Sequence, residues 1–242
     1  MTKLAIVSDI HGNRDAFEEV LKDIDALSVA QIFSLGDNIG YGPEPEAVIQ
    51  MLQDRNIPSV LGNHELAVTD ASELDWFNPV ARESLLKTID MLSAASIERI
   101  HQFPYCRVED DYRFVHGFPP DSPVIYQFQV SDDDLVKTFS ELQERIFFTG
   151  HTHYPEIVEY DADAIQKYKL GRKTLTLKTG ARYIINVGSV GQPRDGDNNA
   201  KYVLFDTAAQ TVELRYVPYD IESTVQKILD AGLPEAHALR LR

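Results

Sequence analysis

Leu4-Ala5-Ile6-Val7-Ser8-Asp9-Ile10-His11 begins with four apolar residues and ends on an acid and an imidazole. An apolar run without alternation reads as a short strand buried on both faces. Just beyond it, Asn13 can cap a helix whose apolar positions Phe17, Val20, Leu21, Ile24 and Leu27 recur at helical spacing. Residues 31–35 read as a second strand, and 43–55 as a second helix with its prolines in the first turn. Ser59-Val60-Leu61 reads as a third short strand. Strand, helix, strand, helix, strand is the order of a parallel sheet with helical crossovers, so the class is α/β.

The pattern then changes. Residues 78–101 have helical period, with Leu85, Leu86, Ile89, Leu92, Ile97 and Ile100 as inward positions. After Pro104, strands are expected at 112–116, 146–149, 157–160, 175–178, 183–187, 202–206 and 212–217. Several are joined by turns bearing Gly, Asp or Asn, which predicts antiparallel pairing. A short amphipathic helix is expected over 221–231. No linker-like stretch, internal repeat or low-complexity tract divides the chain, so one domain over 1–242 is expected.

Composition narrows the function. The chain has 242 residues, 43% hydrophobic, and a formal net charge of −15. That is too apolar for disorder, and so acidic a surface repels polyphosphate backbones, which argues against coating DNA or RNA. A lone Cys106 excludes a disulfide framework and a cysteine zinc cluster; a small buried or inert thiol is the expectation. No apolar run approaches the ~20 residues of a membrane span, and the acid at Asp9 comes too early for a signal peptide. A cytoplasmic, non-membrane protein is expected.

Five of the seven histidines fall, with acidic or amide neighbours, just after expected strands. The groups are Asp9-Ile10-His11, Gly36-Asp37-Asn38, Gly62-Asn63-His64-Glu65, His116-Gly117 and Gly150-His151-Thr152-His153. In an open α/β sheet, ligands bind beyond the carboxyl ends of the strands. Strand ends delivering His, Asp and Asn to one rim would build a metal-binding cleft. In Asp9-x-His11 and His151-x-His153 an extended backbone would aim both side chains the same way. The adjoining glycines allow sharp turns and close approach. Imidazole and carboxylate without thiolate suit Mn, Fe, Ni or Zn, and the number of candidates favours two ions ~4 Å apart over one.

In this order, Asp-x-His, Gly-Asp, Gly-Asn-His-Glu, an isolated His-Gly and Gly-His-x-His resemble the calcineurin-like metallophosphoesterase superfamily. The likeness spans residue 4 to about 195. It is nearest in flavour to the small bacterial and archaeal phosphoesterases, through Asn186-Val187-Gly188-Ser189-Val190-Gly191-Gln192-Pro193-Arg194. The resemblance implies two mixed β-sheets packed as a sandwich and flanked by helices, a four-layer αββα arrangement. It implies Asp9, His11, Asp37 and His153 on a first metal and Asp37, Asn63, His116 and His151 on a second, with Asp37 bridging. His64 would stay free as the general acid. The implied activity is hydrolysis of a small phosphodiester, nucleotide or phosphomonoester by attack of a metal-bridged hydroxide on phosphorus. Hydrolysis of dinucleoside polyphosphates such as diadenosine tetraphosphate is the alternative within that chemistry. A catalytically silent protein-interaction scaffold on the same fold is the alternative of another class, and it would need neither His64 nor a complete second ligand set. A homodimer is an expectation of this branch alone.

The chain departs from the protein-phosphatase pattern Gly-Asp-x-x-Asp-Arg-Gly. Its own stretch, Gly36-Asp37-Asn38-Ile39-Gly40-Tyr41-Gly42, has Gly40 and Tyr41 at the Asp and Arg positions. Arg194 is a candidate replacement phosphate clamp, or else a loop arginine paired with Asp195 or Asp197, and Asn38 is a second candidate substrate contact. Trp76, Phe77, Tyr126 and Phe128 are aromatic candidates for a nucleobase platform or for rim packing. Lys167, Lys169, Arg172, Lys173, Lys178 and Arg182 form a basic cluster that either attracts an anion or is a solvated hairpin.

Overall fold

Residue alternation along the strands sorts the chain into layers. The computed structural model describes residues 3–242. Its first half contains β1 (Lys3–Val7), α1 (Arg14–Asp25), β2 (Gln31–Ser34), α2 (Pro45–Asp54), α3 (Asn63–Thr69), α4 (Pro79–Asp90) and α5 (Ala94–Ile100). There follow β3 (Cys106–Glu109), β4 (Tyr112–Val115), α6 (Asp132–Glu141), β5 (Ile146–Thr149), β6 (Glu156–Asp161) and β7 (Ala164–Lys169). The chain closes through β8 (Leu175–Thr176), β9 (Arg182–Asn186), β10 (Ala200–Asp206), β11 (Thr211–Val217), α7 (Ile221–Asp230) and α8 (Glu235–Leu239).

Two mixed sheets result, ordered β2-β1-β10-β11-β8 and β3-β4-β5-β9-β6-β7. β1 pairs parallel with β2 and antiparallel with β10; β5 pairs parallel with β4 and β9, while β6 runs antiparallel to β9. Leu4 and Ile6 of β1 meet Ile146 and Phe148 of β5 and Tyr183 and Ile185 of β9 in the core between the sheets. Ala5 and Val7 point the other way, into the core built with Phe17, Val20 and Ile24 of α1 and with α2. On the far side Phe147 and Ile184 pack on Leu135 and Phe139 of α6. The four-layer arrangement therefore follows from the period of two in each strand. Asn13 caps α1 as expected, its side-chain oxygen accepting from the Ala16 N–H.

The differences are local. The expected strand at 59–61 is a single parallel bridge from Ser59 to Ser34, because the Leu61 N–H leaves for the Pro104 carbonyl. The strand at 175–178 pairs only over β8, and the helical stretch 78–101 breaks around Leu92 into α4 and α5. β3, β7, α6 and α8 have no forecast: α6 buries only Leu135 and Phe139, too few positions to show a period. No helix among the described residues is long and apolar enough to cross a membrane.

Candidate metal centre

β1, β2, β4 and β5 end at a common rim, and the chain turns sharply there. Asp9, His11, Asp37, His151 and His153 all have positive φ, between 50° and 66°. Asp and His are among the non-glycine residues that most readily accept this conformation. The extended backbone expected for Asp9-x-His11 and His151-x-His153 is thus corrected to a left-handed one. The turns are stitched together by backbone bonds: Asp9 N–H to the Gly36 carbonyl (3.0 Å), His11 N–H to that of Asp37 (2.9 Å) and Gly191 N–H to that of Asp9 (2.9 Å). A Cβ on Gly150 would lie 1.9 Å from Ser8 Oγ and 2.6 Å from Asp9 Oδ2, so only glycine allows these segments to close.

The residues brought together form two adjoining groups, Asp9 with His11 and His153, and Asp37 with His116 and His151, and a third set that overlaps both, His11 with Asp37 and His64. In the first, His11 Nε2 and His153 Nε2 are 3.0 Å apart, with Asp9 Oδ1 3.1 Å from His153 Nε2. In the second, His116 Nε2 is 3.2 Å from His151 Nδ1, from Asn63 Oδ1 and from Asp37 Oδ2. Asp37 Oδ2 also lies 3.8 Å from His11 Nε2, which places this carboxylate between the groups. His151 and His153, two residues apart, go to different groups.

Each of these four imidazoles has its other nitrogen against a backbone carbonyl: His11 Nδ1 on Ile39 (2.9 Å), His116 Nδ1 on Leu35 (2.8 Å), His153 Nδ1 on Gln192 (2.6 Å) and His151 Nε2 on Val124 (3.2 Å). A carbonyl only accepts, so the proton of a neutral ring sits on the outer nitrogen and the lone pair faces inward. That is how metal-binding imidazoles are oriented. Asp9 Oδ1 is buried with no hydrogen-bond donor among the described residues. Inward lone pairs beside an unsatisfied carboxylate oxygen fit divalent cations.

The comparisons agree with that geometry. The family model of the calcineurin-like phosphoesterase superfamily domain matches residues 2–210. The chain belongs to this superfamily. It is similar to the uncharacterized protein MJ0912 of Methanocaldococcus jannaschii, 34% identical over 238 residues covering 96% of this chain and 94% of that protein. It is also similar to serine/threonine-protein phosphatase 2 of Escherichia coli, 25% identical over 157 residues, 58% of this chain and 70% of that protein. Among solved structures, a metallophosphoesterase from Sphaerobacter thermophilus is 37% identical with a TM-score of 0.83, covering 99% of this chain and 98% of that one.

Against this superfamily pattern His64 is distinct. It is buried, its Nε2 lies 3.9 Å from Asp37 Oδ2, and its Nδ1 has no hydrogen-bond partner among the described residues. His11, Tyr41 and Phe77 surround the ring at centroid distances of 4.8, 4.6 and 5.0 Å. Its neighbour Glu65, to which the sequence reading gave no role, accepts from the N–H groups of Asp37 (2.8 Å), Asn38 (2.6 Å) and Gly62 (3.1 Å) and so ties two rim loops together. Asn38 completes that brace: its amide reaches Ser59 (2.9 Å) and Glu65 (3.1 Å), and its oxygen accepts from Ser34 (2.6 Å). Wholly buried and fully bonded, Asn38 is a loop brace, which corrects its expected role as a substrate contact.

The charges follow from crowding and burial. Burial pushes the Asp37 carboxyl up, yet His116 and His64 outweigh it and hold the group well below the usual range. Burial likewise opposes the charge on His116, but Asp37 beside it raises the imidazole to about 9. Burial and the His116 charge push His151 down to about 3, and burial leads in lowering His64 to about 4. Burial and Asp37 raise Glu65 to about 7.

Around the mouth, Arg194 is not paired with an acid among the described residues. Asp195 is taken by the wholly buried Lys201 at 3.0 Å, and Asp197 by Arg172 at 2.9 Å and Lys201 at 3.6 Å. The Arg194 guanidinium bonds Gln192 Oε1 (3.0 Å), and its charge and hydrogen bond act on Tyr41. The basic cluster does not form one patch. Lys167 pairs with Asp132, Lys178 with Glu159 and Asp161, and Arg182 donates to the carbonyls of Leu142 and Glu144. An anion-attracting hairpin is corrected accordingly. His237 of α8, absent from the sequence reading, lies 4.5 Å from the Tyr41 ring, centroid to centroid.

Proposed function

We propose that this chain is a dinuclear-metal-dependent phosphoesterase acting on a small phosphorylated molecule. The observation that carries it is the set of four imidazoles with carbonyl-bound outer nitrogens and inner nitrogens converging on Asp9 and Asp37. Asp9, His11, Asp37 and His153 would hold one ion, and Asp37, Asn63, His116 and His151 the other. Two divalent cations in such a site supply Lewis acidity toward water and neutralise charge on a phosphoryl group.

The chain's own residues do the rest. Asp9 and Asp37 return two negative charges to the site, which leaves it attractive to a phosphate anion in an otherwise acidic protein. Arg194, with no carboxylate partner among the described residues, would hold a phosphoryl oxygen beside Tyr41. Of the five rim imidazoles, His64 alone has no backbone carbonyl on either ring nitrogen among the described residues, and it acts as the proton donor to the leaving oxygen, taking up its proton together with the anionic substrate. Burial of the ligands excludes water that would compete for the inward lone pairs. A Ser/Thr protein-phosphatase arrangement does not fit, because the His64 ring occupies the space that a side chain at Gly40 would need.

The test is metal-reconstituted turnover. Chelator-stripped protein is given Mn, Fe, Ni, Zn or Mg and assayed on a nitrophenyl monoester and its diester analogue, with metal content measured in parallel. Two ions per chain and turnover that returns with a transition metal are expected. No bound metal and no turnover would leave the scaffold reading in its place.

A further inference from the structure

The two most exposed large apolar side chains flank this centre. Trp76 is 85% exposed and Phe128 73% exposed, in a chain whose other aromatic rings are mostly packed. Apolar rings left in water beside a polar centre call for an occupant. Tyr126 lies flat on His151, 3.8 Å between centroids and 24° between planes, and Phe128 continues the stack at 5.0 Å and 25°. Trp76, Phe77 and Tyr126 wall a cleft whose floor is Asn63 and His151, both in the second ligand group. The carboxylate of Glu73 also lines it, with no hydrogen bond or ion pair to any other described residue.

We propose that this cleft receives the planar aromatic part of the substrate, a nucleoside, while the phosphate lies on the metal centre; the proposal rests on the phosphoesterase reading. Three features select it. Trp76, exposed on the cleft wall, presents a ring that a base can stack on, and stacking tolerates any base. The unpaired Glu73 carboxylate repels a phosphate chain but accepts hydrogen bonds from an exocyclic amine of a base. The cleft floor is shared with Asn63 and His151, so one molecule spans cleft and centre.

Trp76 is the chain's only tryptophan, so its fluorescence reports on this cleft alone. Full-length protein loaded with Mn is titrated with adenosine monophosphate and with glycerol phosphate. Adenosine monophosphate is expected to quench Trp76 and to bind at least ten-fold more tightly. Trp76→Ala, at an exposed position on the cleft wall, should cut that preference about ten-fold, read by calorimetry because the fluorophore is gone, and leave glycerol phosphate binding as it was. Equal binding of the two ligands, or a preference that survives Trp76→Ala, overturns the nucleoside assignment. If two ions bind and a nitrophenyl ester is hydrolysed in that case, the phosphoesterase reading stands and only this inference falls. If no metal binds and no ester is hydrolysed, that reading falls, and with it the phosphate-on-centre pose that this inference requires.

Discussion

The Nδ1 atom of His64 lies 2.1 Å from the point where a Cβ on Gly40 would stand. Gly40 also has φ +84°, a conformation that side chains disfavour. Gly40→Ala should therefore displace the His64 ring and lower turnover by ten-fold or more while metal content stays at two ions. Gly40→Asp, which restores the acid of the protein-phosphatase pattern, should inactivate rather than improve. Steady-state kinetics beside metal analysis distinguish these from a loss of the centre.

His64→Ala should reduce kcat by ~10²–10⁴-fold, the range for loss of a general acid, with both ions retained. The loss should be smaller for a nitrophenyl ester, whose leaving group departs without a proton. An equal loss on good and poor leaving groups would assign His64 to another task.

Asp37 is the carboxylate between the two groups, 3.2 Å from His116 and 3.8 Å from His11. Asp37→Asn should weaken both ions and Asp9→Asn chiefly one, read as metal per chain after dialysis. Metal should also stabilise the fold, by about 2.7 kcal/mol per site at a hundred-fold excess over Kd. The thermal midpoint of wild type should fall on chelation, and that of Asp37→Asn should scarcely move.

Lys201 is fully buried, with Asp195 at 3.0 Å and the Asn199 carbonyl at 3.0 Å. Lys201→Met leaves the buried Asp195 carboxylate with only the half-exposed Lys169 at 4.0 Å, a loss of up to about 3–5 kcal/mol measurable as a lower urea midpoint. The same loop carries Arg194 and the Gln192 carbonyl that receives His153 Nδ1 at 2.6 Å, so KM should rise as well.

Burial, with Arg240 adding to it, lowers His237 to about 4 from its ordinary 6.5. Between those two values the unfolded chain holds a proton that the folded chain refuses. The contribution of this group to stability is thus complete above pH 6.5 and is lost as pH falls toward 4. His237→Phe, which keeps a ring against Tyr41, should remove up to about one proton's worth of this slope, ~1.4 kcal/mol per pH unit. Urea midpoints of metal-free protein at pH 7 and pH 5 test it.

Much of the architecture was legible because its signals are local. Leu4 to Val7 marked a strand buried on both faces, and Asn13 marked the start of α1, since capping and alternation act over a few residues. α6 and β7 leave no periodic signal in the sequence because each buries too few apolar residues. Five clusters of His, Asp and Asn after strand ends pointed to a metal centre, since in an open α/β sheet those ends lie on one side.

The sequence by itself determined the α/β class and which residue types crowd the rim. Only the tertiary structure decided how they are shared out. Left-handed turns send His151 to Asp37 and His153 to Asp9, although the two are separated by a single residue. Lys201 takes Asp195 away from Arg194, Glu65 and Asn38 brace the loops, and Gly40 makes room for His64. Each of these is a contact chosen by packing between segments distant in the chain or by a backbone torsion, and neither leaves a periodic trace in the order of residues.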